Sequence, residues 1–154
     1  MTTTDTPAEG PGTWVDRLLA ATNAHDLDAL VDCFAVDYVN ETPAHPSRGF
    51  RGSEQVRRNW TQIFAGVPDL TAQVRSRAVD GDTVWVEWDN RGTRRNGTAH
   101  AMRGVTVFGV ADGKATWARF YLEPVDEPGD APGDTVDDAV KRVVGLPSTA
   151  PARS

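Results

Sequence analysis

Two carboxylates and one imidazole are the residues of this chain best suited to moving protons. Glu87 and Asp89 stand two apart in the alternating run Thr83-Val-Trp-Val-Glu-Trp-Asp89. At the rise of a β-strand they share a face, with Cα atoms about 6.6–7 Å apart. Set together in an apolar pocket, mutual repulsion and desolvation would raise at least one pKa and yield an acid/base pair. The competing reading is an ion pair with Arg91 or Arg103 near the rim of a sheet. His100, between Ala99 and Ala101, carries a ring able to transfer protons near pH 7. The simpler reading is a structural histidine bonded to Asp89 or to a backbone carbonyl. Trp60, Trp85, Met102, Phe108 and Phe120 offer either an aromatic wall for a flat hydrophobic ligand or plain core filling.

The elements that must position these groups are legible from periodicity. Trp14, Val15, Leu18, Leu19 and Thr22 recur at helical spacing, with Thr13 as the expected N-cap. Asp26 caps a second helix with the apolar face Leu27, Leu30, Val31 and Phe34, followed by a strand around Tyr38–Thr42. A Pro/Gly/Arg-rich loop, Pro43 to Gly52, is of the kind found at pocket mouths. Ser53 is then expected to cap a third helix with Val56, Trp60, Ile63 and Phe64. From Leu70 the period becomes two. Leu70–Val79, Thr83–Arg91, Thr98–Val110 and Ala115–Glu123 read as an antiparallel meander. Its turns are Asp80-Gly81-Asp82, Arg95-Asn96-Gly97 and Asp112-Gly113. Helices first and strands afterwards indicate an α+β fold with helices on one face of the sheet.

The expected organisation is a disordered start over 1–12, one domain over 13–124, and a Pro/Gly-rich tail over 125–154. The tail holds a short amphipathic helix near 135–145, whose stripe Val136, Ala139, Val140, Val143 and Val144 needs something to lie on: the sheet, the mouth of a pocket or a partner subunit. Both faces of the sheet carry large apolar groups. One should cover the helices and a pocket, the other should meet a second copy of the chain, so a homodimer through the outer face is expected.

With 154 residues and a formal charge of −6, the chain is suited neither to nucleic acid nor to anionic membranes. Arg91, Arg94 and Arg95 fall in a hairpin turn, where a solvated tip is the simpler reading. No apolar run is long enough to span a bilayer. No signal-peptide pattern opens the chain, and the cytoplasm is the expected location. Cys33 is the only cysteine, read as a small buried hydrophobe rather than a nucleophile. Three scattered histidines without ligand spacing suggest no metal site, and no phosphate loop or nucleophile elbow suggests a cofactor.

The segment Asn23–Pro43, NAHDLDALVDCFAVDYVNETP, is similar to the corresponding part of ketosteroid isomerases. The turn Val107-Phe-Gly-Val-Ala-Asp-Gly-Lys114 and the closing Arg119-Phe-Tyr-Leu-Glu-Pro124 resemble SnoaL-like proteins and limonene epoxide hydrolases. The chain thus resembles the nuclear transport factor 2-like superfamily over about Trp14 to Pro124. That resemblance implies a cone: a curved antiparallel sheet wrapped over three N-terminal helices. It also implies a pocket lined by Trp85, Glu87, Asp89, His100, Met102, Phe120 and Leu122, joined by Asn40 and Thr42, with Val84, Trp88, Trp117 and Tyr121 on the dimer face. The isomerase's own groups do not carry over: its base falls on Thr42, its oxyanion Tyr on Leu18, and its neutral Asp on Val105 or Thr106. Of the epoxide hydrolase set, Asp89 matches the water-activating Asp, while the Arg falls on Glu87 and the acid Asp on Phe120. The Tyr and Asn of that set fall on Asn40 and Thr42, which would orient water or a substrate oxygen. SnoaL-type polyketide cyclases use an Asp/His arrangement that Asp89 and His100 would supply by role. Two functions follow as expectations: a cofactor-independent acid–base enzyme (cyclase, isomerase or epoxide hydrolase type) acting on a hydrophobic cyclic metabolite, or a non-catalytic small-ligand-binding or dimerisation module.

Overall fold

The computed structural model describes residues 10–126 and 135–147. It has the expected α+β order: α1 (Pro11–Asn23), α2 (Leu27–Asp32), β1 (Phe34–Glu41), β2 (Phe50–Arg51), α3 (Ser53–Gly66), β3 (Thr71–Asp80), β4 (Thr83–Thr93), β5 (Ala99–Ala111), β6 (Lys114–Pro124) and α4 (Val136–Val144). The expected disordered start over 1–12 and the tail after Leu146 lie mostly outside the described residues. Pro11 and Gly12 belong to α1 instead, because proline suits a first helical turn whose N–H groups have no partner anyway. Thr13 is therefore inside the helix rather than its cap. Asp26 does cap α2, accepting from the Ala29 N–H at 3.1 Å. Ser53 is the first residue of α3, and Gly52 (φ +98°) makes the turn into it.

The six strands lie in the order β2-β1-β6-β5-β4-β3. The meander from β3 to β6 is antiparallel, as is β1 with β2, whereas β1 runs parallel to β6. The Pro43–Gly52 segment is thus partly ordered, with a 3-10 turn at Pro46–Arg48 and the short β2 on the sheet edge. Register shifts between Val74 and Ser76, and between Gly109 and Val110, bend the strands. Gly104, with φ +147°, allows close approach to β6: a Cβ there would fall 2.2 Å from the Tyr121 carbonyl oxygen.

The concave face holds the core. Trp14, Val15, Leu30, Cys33, Phe34, Tyr38, Val84, Val86, Trp88 and Phe108 are all buried in it. Trp14 is its centre, fully buried with its ring 4.6 Å from that of Phe108 and 6.0 Å from that of Phe34. Its Nε1–H donates to the Cys33 carbonyl at 2.8 Å, tying α1 to the end of α2. Cys33 is a buried thiol outside any disulfide, and its Sγ–H donates to the Ala29 carbonyl at 3.4 Å.

The C-terminal helix forms where expected, with Thr135 and Asp138 as a capping box and Gly145 in the left-handed conformation. Its apolar stripe does not dock on the sheet or the cone mouth of its own chain: Val136 and Val143 are 79% and 85% exposed. No helix among the described residues is long and apolar enough to cross a membrane.

Candidate functional site

The pairing of β4 with β5 decides which groups can meet. Asn90 stands opposite Met102, Gly92 opposite His100, and Trp88 opposite Gly104. Paired residues share a face, so the concave set on β4 is Val84, Val86, Trp88 and Asn90. Trp85, Glu87, Asp89 and Arg91 therefore point to the opposite, convex face. This corrects the expected pocket lining. Trp85 is 39% exposed on the outside, Glu87 is exposed and accepts from Ser76 at 3.0 Å, and neither lines the cavity. Val84 and Trp88, expected on the dimer face, are core residues, and the Trp88 Nε1–H donates to Thr106 Oγ1 at 2.7 Å.

Asp89 is the only buried carboxylate among the described residues, yet its surroundings are cationic rather than apolar. Arg91 holds it in a two-point contact (3.1 and 3.0 Å), and Arg75 and Arg103 each approach to 3.5 Å. These half-exposed guanidiniums roof the carboxylate. The Arg91 hydrogen bond, with the charges of Arg103 and Arg91 against an opposing desolvation, holds its pKa below the ordinary 3.8. A base so stabilised as an anion is poor at taking protons near neutrality. The ion-pair alternative is what the geometry contains. Asp89→Asn is expected to cost roughly 1–2 kcal/mol in stability, a modest figure because the three partners stay solvated after the change. Since the folded pKa is lowered, the carboxylate's contribution is present above the unfolded value and lost as pH falls through the folded one. The variant's urea-unfolding stability should accordingly fall less steeply than wild type below about pH 4.

The concave face opens into a cavity of about 300 Å³ between α3 and the sheet. Of the expected site residues it brings together Asn40, Thr42, Trp60, His100, Met102, Phe120 and Leu122, and adds Phe34, Tyr38, Arg48, Phe50 and Asn90, among others. The walls are mainly aromatic and aliphatic, and the polar groups are few. The buried Tyr38 hydroxyl donates to Asn40 Oδ1 at 2.8 Å, which orients the Asn40 amide. Burial pushes the Tyr38 phenol well above its usual range, so it stays protonated. His100 is half-buried at the mouth. Desolvation first, and the charge of Arg94 second, lower its pKa below 6.5, so its ring is neutral at pH 7. The expected bond from His100 to Asp89 is absent because the two lie on opposite faces. Among the described residues, no carboxylate lines the cavity.

The other histidines are structural. His25 stacks on Phe64 with ring centroids 4.5 Å apart and bonds the Leu70 carbonyl, while His45 Nε2 meets Glu123 Oε1 at 2.8 Å. In the hairpin turn, Arg94 bonds Thr98 and the Ala99 carbonyl, and Arg95 bonds the Ala65 carbonyl. No group of three or more potential metal ligands occurs among the described residues.

A family model described as a SnoaL-like domain matches residues 15–118. No curated protein matches the sequence. Among solved structures, IdmH, a proposed polyketide cyclase from Streptomyces antibioticus, is 25% identical with a TM-score of 0.63, covering 73% of this chain and 91% of its own. A proposed SnoaL-like polyketide cyclase from Jannaschia sp. CCS1 is 23% identical with a TM-score of 0.64, covering 79% and 91%. Rv0760c from Mycobacterium tuberculosis, solved with estradiol-17β-hemisuccinate, is 21% identical with a TM-score of 0.61, covering 70% and 89%.

Proposed function

The chain belongs to the SnoaL-like domain family, and from that premise we propose that it binds a small, flat, largely apolar ring compound carrying at least one oxygen. The observation that carries this reading is the cavity itself. About 300 Å³ walled by Phe34, Tyr38, Phe50, Trp60, Met102, Phe120 and Leu122, with a few placed polar groups, has the size and chemistry of a small-molecule site. The likeness to IdmH supports a polycyclic, polyketide-like ligand. Titration calorimetry with estradiol and with hydroxyanthraquinones tests it. Saturable binding with a negative heat-capacity change is the expected result. No binding by any member of such a panel would count against the reading.

Catalysis, as cyclisation or isomerisation, is the second reading, and His100 is what favours it. Among the described residues lining the cavity, it alone carries a neutral imidazole that can accept a proton. Glu87 and Asp89 are not part of this reading, because their side chains lie across the sheet. If the protein turns over a compound that it binds, His100→Gln should lower kcat by about 10²–10⁴ while leaving KM near wild type. An unchanged kcat would leave the binding reading standing alone.

The convex face supports a homodimer, with a composition different from that expected. Trp85, Val105, Val107, Trp117 and Tyr121 are neighbours across β4, β5 and β6. The Trp117 ring lies over Gly109, where a Cβ would come within 1.8 Å of Nε1, and Arg119 stacks on it at 4.5 Å. Trp85 and Tyr121 leave large apolar area exposed here, with Val107 covered between them and Arg119 standing between Trp117 and Tyr121, a mixed surface of the kind that associates. Sedimentation at micromolar concentration should give a dimer for wild type and a monomer for Tyr121→Glu. A monomeric wild type would refute the dimer.

A further inference from the structure

Beyond the main chamber, a recess of about 50 Å³ runs deeper between α1 and the sheet, lined by Leu18, Thr22, Trp88 and Phe108. Asn90 lines both spaces and so stands at the waist between them. Its side chain is 9% exposed, and its Oδ1 is buried with no hydrogen-bond partner. A buried acceptor without a donor is a cost that folding rarely tolerates. Three polar groups of these linings donate elsewhere: Thr22 Oγ1 to the Leu18 carbonyl at 2.8 Å, Trp88 Nε1 to Thr106, and the Tyr38 hydroxyl to Asn40.

We propose that Asn90 is the polar anchor of the cavity, and that it recognises a hydroxyl group on an otherwise apolar ring. This rests on the small-molecule reading above and adds the group that the ligand must carry. The chemistry is selective. A ketone or ether oxygen only accepts and leaves Oδ1 unsatisfied, whereas a hydroxyl donates to Oδ1. Because a hydroxyl also accepts, it satisfies the amide whichever way its oxygen and nitrogen are turned. Trp60 and Phe120 line both spaces together with Asn90, so a ring held in the chamber can bring an edge substituent to Asn90. The recess behind it has room for a short alkyl group and no more.

The matched probes 2-naphthol and naphthalene test the proposal by equilibrium titration against wild type and Asn90→Leu. Wild type is expected to bind 2-naphthol roughly tenfold more tightly than naphthalene, the contribution of one well-placed hydrogen bond. Asn90→Leu should keep the naphthalene affinity and reduce the preference to within about twofold. A nuclear Overhauser contact between the Asn90 amide protons and bound 2-naphthol provides a second readout in the wild-type protein, whatever the variant's yield. Binding of both probes with equal affinity, or a preference that survives in Asn90→Leu, overturns the role of Asn90 while leaving the pocket intact. If neither probe binds, the pocket reading falls and the anchor with it.

Discussion

Trp14→Ala is expected to remove about 3–5 kcal/mol of stability, the range for deleting a fully buried aromatic side chain. Small domains have only about 5–15 kcal/mol in total, so the variant should be partly unfolded at physiological temperature. The side chain is 0% exposed and sits between Phe34 and Phe108, and its Nε1–H satisfies the Cys33 carbonyl where α2 gives way to β1. Both contributions are separable. Trp14→Phe keeps most of the ring contacts and loses the hydrogen bond, so its cost should be about 1–3 kcal/mol. Trp85→Ala is the control: that ring is 39% exposed on the convex face, and in a monomer its loss should cost under about 1 kcal/mol. Urea unfolding of the three variants orders them. A Trp14→Ala protein as stable as wild type would mean that the helices are not held on the sheet as described.

Closing the cavity should abolish ligand binding without unfolding the chain. Met102 on β5 and Ile63 on α3 both line the chamber, and both are half-buried. Changing both to Trp puts two indoles into about 300 Å³ of space. A flat ring compound should then bind at least about 100-fold more weakly, a difference of roughly 2.7 kcal/mol. Because both positions line open space rather than packed core, the stability cost should stay under about 1.5 kcal/mol. Calorimetry and thermal melts on the same samples read both effects. Retained affinity in the double variant would place the ligand elsewhere.

The fold was legible because two signals agreed. The helical spacing of Trp14, Leu18, Leu30 and Val56 and the period-two runs after Leu70 describe the same α+β order that the chain adopts. Part of the pocket is legible too, since Asn40, Thr42, Trp60, His100, Met102, Phe120 and Leu122 line it. What failed was the facing of β4. Its two faces, Val84/Val86/Trp88 and Trp85/Glu87/Asp89, are both rich in large side chains, so alternation alone does not choose between them. A shift of one residue exchanges the whole set. The resemblance puts Asp89 in the pocket by aligning it with the water-activating Asp of the epoxide hydrolases. The turn held the better signal. Arg94 N–H bonds the Thr98 carbonyl and Thr93 stands opposite Ala99, as a three-residue turn over Arg95-Asn96-Gly97 requires. Counting back along that hairpin puts Asn90, not Asp89, beside Met102. The arginines were a second signal. Three of them, on β3, β4 and β5, surround Asp89 at the distances of a paired anion.

The central claim is that the concave cavity, and not the carboxylate-bearing convex face, receives the ligand. A ¹H–¹⁵N NMR titration with estradiol reads this directly by mapping which amides shift. The account predicts shifts at Asn40, Asn90, Met102 and Phe120, with Glu87, Asp89 and Tyr121 still. Shifts confined to the convex face would contradict it.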